Sequence, residues 1–113
     1  MRILMASSEA TPFAKTGGLA DVATGLSKAL AKLGHEVTLA LPYYRKITKP
    51  ELADEVVGKR MIPIGEKRVE CEIRSTRIPG SDVRVLLIDQ PDYFDRAGLY
   101  LEKGHDFTDN AER

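Results

Sequence analysis

Hydrophobic and polar positions change their period several times along this chain, and the changes mark its elements. Arg2 to Ala6 is a short apolar run, the pattern of a strand buried on both faces of a parallel sheet. From Leu19 the period lengthens. Leu19, Val22, Ala23, Leu26, Ala29, Leu30 and Leu33 recur at helical spacing, with Asp21, Ser27, Lys28 and Lys32 mostly off that stripe. Gly18 serves as the predicted N-cap. Asp21 lies in the first turn, where a carboxylate suits the helix dipole, and Lys32 with Gly34 supplies the stop. Glu36 to Leu41 is a second apolar run. Strand, helix and strand in this order predict a right-handed βαβ unit with parallel strands, its first connecting loop at their C-terminal edge.

Beyond Pro42 the texture changes. Pro42-Tyr43-Tyr44-Arg45-Lys46 and the polar stretch to Glu55 predict a surface connection with a short helical turn after Pro50. Lys59 to Ile64, Arg68 to Ile78 and Val83 to Ile88 read as three strands, separated by turn signals at Gly65-Glu66 and Pro79-Gly80-Ser81-Asp82. In the middle strand Val69, Cys71 and Ile73 alternate with Arg68, Glu70, Glu72 and Arg74, as in an antiparallel strand with one wet face. Cys71 falls on the apolar face, as a buried small hydrophobe. Val83 to Ile88, apolar except for Arg84, belongs in the main sheet. The fold class is therefore α/β: a Rossmann-like βαβ start with a parallel sheet, plus an antiparallel β-hairpin.

Composition narrows the function classes. The 113 residues fit one small domain. Seventeen basic and seventeen acidic residues cancel, which gives no support for a nucleic-acid or anionic-membrane partner. The single cysteine cannot form an internal disulfide, and no run has the length of a membrane span or the form of a signal peptide. A cytoplasmic protein is the expectation.

The chemistry concentrates in Lys15-Thr16-Gly17-Gly18-Leu19-Ala20-Asp21, where a strand-to-helix crossing carries two glycines. Glycines let backbone N–H groups approach an anion, and the helix N-terminus favours negative charge there. Lys15 adds a mobile cation. The physics points to an anion site of the phosphate kind, although a tight turn with close helix packing explains the glycines equally well. Neither G-x-x-x-x-G-K-[ST] nor G-x-G-x-x-G is present. His35, after the helix-ending Gly34, reads as structural, and His105 as a solvent-exposed loop residue without ligand spacing to a partner.

The whole stretch Ser7-Ser8-Glu9-Ala10-Thr11-Pro12-Phe13-Ala14-Lys15-Thr16-Gly17-Gly18-Leu19-Ala20-Asp21-Val22 resembles the opening of bacterial and plant glycogen and starch synthases. Leu87 to Tyr100 and Phe107 to Arg113 resemble a later stretch of the same family, in which a strand ends and a loop returns towards the active-site cleft. The resemblance implies a retaining glucosyltransferase of the two-domain GT-B type. Its parent would carry glucose from ADP-glucose to the non-reducing end of an α-1,4-glucan. The motif by itself leaves ADP-glucose and UDP-glucose both open.

By carry-over, Lys15 would bind the sugar-nucleotide phosphates, Gly17 and Gly18 would give close backbone approach, and Asp21 would order the loop or contact sugar or acceptor hydroxyls. Tyr100 is a candidate for stacking on a glucose ring, against the simpler role of a loop tyrosine packing on its own strand. No cofactor or metal is implied, and the aspartates from Asp89 to Asp109 read as solvated loop charges. Residues 1–113 would form part of the N-terminal domain. The family's later catalytic histidine, its diphosphate-holding Arg and Lys, and its C-terminal nucleotide-binding domain are absent from these residues, so the chain alone is expected to be inactive. Asp109-Asn110-Ala111-Glu112 reads as the start of a helix at the chain end. Two other classes compete with this reading: a flavodoxin-like module that binds phosphate or nucleotide without chemistry, and an assembly piece that pairs through open strand edges.

Overall fold

A computed structural model describes residues 1–47 and 55–113. Its main sheet has five strands: β1 (Arg2–Ala6), β2 (Glu36–Pro42), β3 (Glu55–Ile64), β4 (Lys67–Arg77) and β5 (Arg84–Asp89), in spatial order β1-β2-β5-β4-β3. Helix α1 (Gly18–Lys32) links β1 to β2, which pair in parallel. Strand β5 runs parallel to β2 on one side and antiparallel to β4 on the other, so it joins the Rossmann-like half to the β3–β4 hairpin. The hairpin and the β4–β5 connection turn at Gly65 and Gly80, whose positive φ values of 60° and 69° suit glycine. A short helix α2 (Pro91–Phe94) and a small ladder of β6 (Leu101–Glu102) with β7 (His105–Asp106) complete the described chain.

The core lies where β2 and β5 meet. Leu39, Leu41, Val85 and Leu87 are at most 1% exposed, and burial of such side chains contributes about 1.5–3 kcal/mol each. Tyr44, Phe94 and Leu99 extend this cluster beyond the C-terminal ends of the strands, with the Tyr44 and Phe94 rings edge to face at 5.7 Å. Cys71 is buried on β4. Asp109 begins a turn at the chain end, its carbonyl accepting from the N–H groups of Glu112 and Arg113.

Several expectations are corrected. Strand β1 is an edge strand that pairs only with β2 among the described residues, and Leu4 is 69% exposed. Only its Ile3 and Met5 pack on the core. The second correction concerns α1, which buries Ala20, Ala23, Thr24 and Ser27 while Leu19, Val22, Leu26 and Leu33 face outward. Small side chains bring the helix close to the sheet, and the two buried hydroxyls cost little because each bonds a carbonyl: Ser27 Oγ to Ala23 O and Thr24 Oγ1 to Thr11 O, both at 2.7 Å. Third, the segment after Pro42 is not simply a surface connection. Tyr44 and Ile47 are 3% and 4% exposed, because both enter the core at the end of β2. The expected turn after Pro50 lies outside the described residues. Strand β3 also begins earlier than the pattern indicated, at Glu55.

Candidate functional site

Three connections leave the C-terminal ends of the parallel strands β1, β2 and β5, and all three converge on Ser8 and Glu9. Residues 7–17 follow β1. After β2, the Tyr44 hydroxyl donates to Ser8 O at 2.8 Å. After β5, the chain passes through α2 and returns so that the Tyr100 hydroxyl lies 2.7 Å from Glu9 Oε2 and 2.8 Å from Ser8 Oγ. A carboxylate can only accept, so Tyr100 donates to Glu9 and accepts from Ser8. Gly98 makes this return feasible, since a Cβ there would stand 2.3 Å from Leu101 O. Asn110 Nδ2 and the Phe107 N–H then hold Tyr100 O, while Arg96 forks onto Asp109 at 2.7 and 2.6 Å.

Glu9 grips the glycine loop from within. It is 4% exposed. Its Oε1 accepts from the Thr16 N–H, from Thr16 Oγ1 at 2.9 Å and from the Gly17 N–H at 3.3 Å. Burial pushes its pKa up, but the hydrogen bonds from Thr16, Tyr100 and Gly17 outweigh that and hold the carboxyl below its ordinary value of 4.5. Gly17, not Gly18, is the N-cap of α1, and it has no side chain with which to cap. Glu9 instead bonds the two N–H groups that precede the helix, Thr16 and Gly17, close to the helix N-terminus, where the dipole favours its charge.

The outer side of the loop is different. Lys15 Nζ lies 2.7 Å from Asp21 Oδ2, with both side chains about half exposed. Thr11 Oγ1 donates to Asp21 Oδ1 at 2.8 Å. Hydrogen bonding from Lys15 and then Thr11 holds the Asp21 carboxyl below its ordinary range. Lys15, Gly17, Gly18 and Asp21 thus form one exposed cluster at the start of α1. Tyr100 joins it only through Glu9, with its hydroxyl already engaged.

The glycines are not explained by the chain's own packing. A Cβ added at Gly17 or Gly18 would meet nothing within 4 Å, and Gly17 is extended at φ −163°, a conformation any residue adopts. The tight-packing explanation of the pair is therefore absent. The Gly17 N–H is spent on Glu9, whereas the amides of Gly18 and Leu19 lie in the first turn of α1, where no intrahelical partner is available. Sequence reasoning passed over Glu9. The available signal was a lone carboxylate among small residues just after a strand, a few residues before the glycines.

A cavity of about 610 Å³ opens elsewhere, lined by Arg45, Asp95, Arg96 and Lys103 among others. Its arginines are committed, Arg45 to Asp95 and Arg96 to Asp109, and Lys103 shares the lining with the acidic Asp95 and Glu102. His35 Nδ1 meets the N-terminal amine at 3.3 Å, and His105 is exposed on β7.

Residues 2–113 match the family model for the starch synthase catalytic domain. The chain belongs to that family. It is 46% identical to a glycogen synthase of Syntrophotalea carbinolica and 43% identical to one of Elusimicrobium minutum, in each case over 100% of this chain and 23% of the relative. The catalytic domain of starch synthase IV from Arabidopsis thaliana, solved bound to ADP and acarbose, superposes with a TM-score of 0.66 at 30% identity, over 90% of this chain and 21% of that one. The chain thus spans under a quarter of the length of the relatives it matches. Among the described residues no helix is long and apolar enough to cross a membrane.

Proposed function

We propose that this chain supplies the phosphate-facing loop of a retaining glucosyltransferase that carries glucose from ADP-glucose to the non-reducing end of an α-1,4-glucan in the cytoplasm. In this reading residues 1–113 are part of the N-terminal domain of a two-domain enzyme. The observation that carries it is the open space at Gly17 and Gly18: two side chains are missing where neither packing nor backbone conformation calls for their absence. An approaching ligand accounts for that space. Lys15 and the first-turn amides of α1 make the ligand an anion, and the similar starch synthase IV catalytic domain was solved with ADP, a nucleoside diphosphate, bound to it.

Lys15 would leave Asp21 for a phosphate oxygen, and Asp21 would then order the loop or meet sugar hydroxyls. Positive charge and aimed N–H groups stabilise a departing diphosphate most strongly as its charge develops. Calorimetric titration of ADP-glucose, ADP and inorganic phosphate into wild type and Lys15→Ala tests the site. Saturable binding that drops at least tenfold in the variant is expected, and equal binding by both would refute the role of Lys15. The chain alone is expected to transfer no glucose to glycogen, because the loop is one side of a cleft. Binding without transfer even in the full-length protein would favour a binding module. Pairing through the open edge of β1 would give a dimer in a solution mass measurement, and a monomer at every concentration would exclude it.

A further inference from the structure

The glycines that open the loop to a ligand also leave it without stiffness of its own. Glycine loses more backbone freedom on ordering than any other residue, so a Gly-Gly loop that is ordered only when its ligand arrives binds weakly. Something else in the molecule must fix it beforehand. We propose that Glu9 is the positioning residue of this loop, setting the Thr16–Gly17 backbone before ligand arrives so that Lys15 and the first-turn amides of α1 are presented outward.

Four observations support the assignment. Glu9 is held at both ends: its own N–H donates to Ser7 Oγ at 3.3 Å, and its carbonyl accepts from the Ser7 hydroxyl at 2.7 Å. Its two oxygens do separate work, Oε1 on Thr16 and Gly17 and Oε2 on Tyr100. A buried carboxylate is a poor way to gain stability alone, since apolar packing serves as well, whereas a carboxylate accepting two consecutive backbone N–H groups selects one backbone conformation. Finally, Tyr100 is fixed by Gly98, Phe107 and Asn110, so the second oxygen ties the loop to the segment that returns from β5.

The ligand part of this inference rests on the proposed nucleotide-sugar site, and the test separates the two. Amide relaxation and shifts of Lys15 to Gly18, together with ADP-glucose titration, would be measured for wild type, Glu9→Ala, Glu9→Gln and Tyr100→Phe. In wild type the Thr16 and Gly17 amides are expected to be as rigid as α1, with the Thr16 proton far downfield. Glu9→Ala makes the loop mobile while α1 and the sheet keep their order, and affinity falls on the order of tenfold or more, the size expected when residues must be ordered on binding. Glu9→Gln keeps an acceptor for Thr16. It should rescue loop order and most affinity, with the Thr16 proton moved upfield. Tyr100→Phe gives a smaller loosening.

A Glu9→Ala loop as rigid as wild type, or with wild-type affinity, overturns the proposal. Should Glu9→Ala fail to fold, unchanged loop amides in both Glu9→Gln and Tyr100→Phe would overturn it equally. If wild type binds no ADP-glucose while the relaxation results stand, the nucleotide-sugar reading fails and the positioning role survives.

Discussion

Two carboxylates hold the same seven-residue stretch, and burial sets them apart. On the inner side Glu9, 4% exposed, accepts from two backbone N–H groups and two hydroxyls. On the outer side Asp21 meets Lys15 and Thr11 with half its side chain in water. Charge-assisted hydrogen bonds inside the protein are strong and costly to break. An exposed ion pair contributes little and is screened by salt. The inner carboxylate therefore acts as an anchor. The outer one is a partner that Lys15 can leave, as its proposed turn to a phosphate requires.

The largest effect that would sharpen this contrast is on stability. Glu9→Ala leaves the Thr16 and Gly17 donors without their acceptor, and a loss of about 1–3 kcal/mol is expected in denaturant unfolding. A loss near zero would break the comparison. Next comes pH. The Glu9 carboxyl in the fold lies below its ordinary 4.5 because hydrogen bonds outweigh burial. A depressed folded-state pKa gives stability that is fully present above about pH 4.5 and is lost as pH falls through the folded value. Wild type should accordingly lose more stability than Glu9→Gln as pH falls below about 4.5, and parallel curves would contradict the anchor role. The smallest effect is at Asp21. Asp21→Asn should leave the thermal midpoint almost unchanged, and salt at about 1 M should alter the Lys15 and Asp21 signals while leaving the Thr16 amide in place. A clear drop in midpoint would make the outer pair structural.

Periodicity revealed the order of the elements, because strand and helix patterns depend on neighbours close in the chain. Strands β1, β2 and β5, helix α1 with its stop at Gly34, and the turns at Gly65 and Gly80 were all legible in this way. Which face of α1 turns inward was not. Large aliphatics signal burial by size, yet the sheet took Ala20, Ala23, Thr24 and Ser27, whose small side chains and self-satisfied hydroxyls permit a closer approach. The exposure of Leu4 on β1 was equally hidden, since an apolar run reads alike whether one or both of its faces are covered. In the site, Lys15, Gly17, Gly18 and Asp21 could be read together because they are adjacent in sequence. The link from Glu9 to Tyr100 spans 91 positions and depends on how the chain returns after β5, which no local pattern encodes.

The proposed site requires that Gly17 and Gly18 be kept small for a ligand and not for the fold, and on this it stands or falls. Calorimetric titration of ADP-glucose into Gly17→Ala/Gly18→Ala, alongside its thermal midpoint, tests it most directly. With open space at both positions, the expected result is a protein that folds with a thermal midpoint close to wild type, since the gain from Ala at Gly18 inside the helix is offset by the loss of glycine at the N-cap Gly17, together with a loss of nucleotide-sugar binding. Undiminished binding, or a variant that no longer folds, would contradict it.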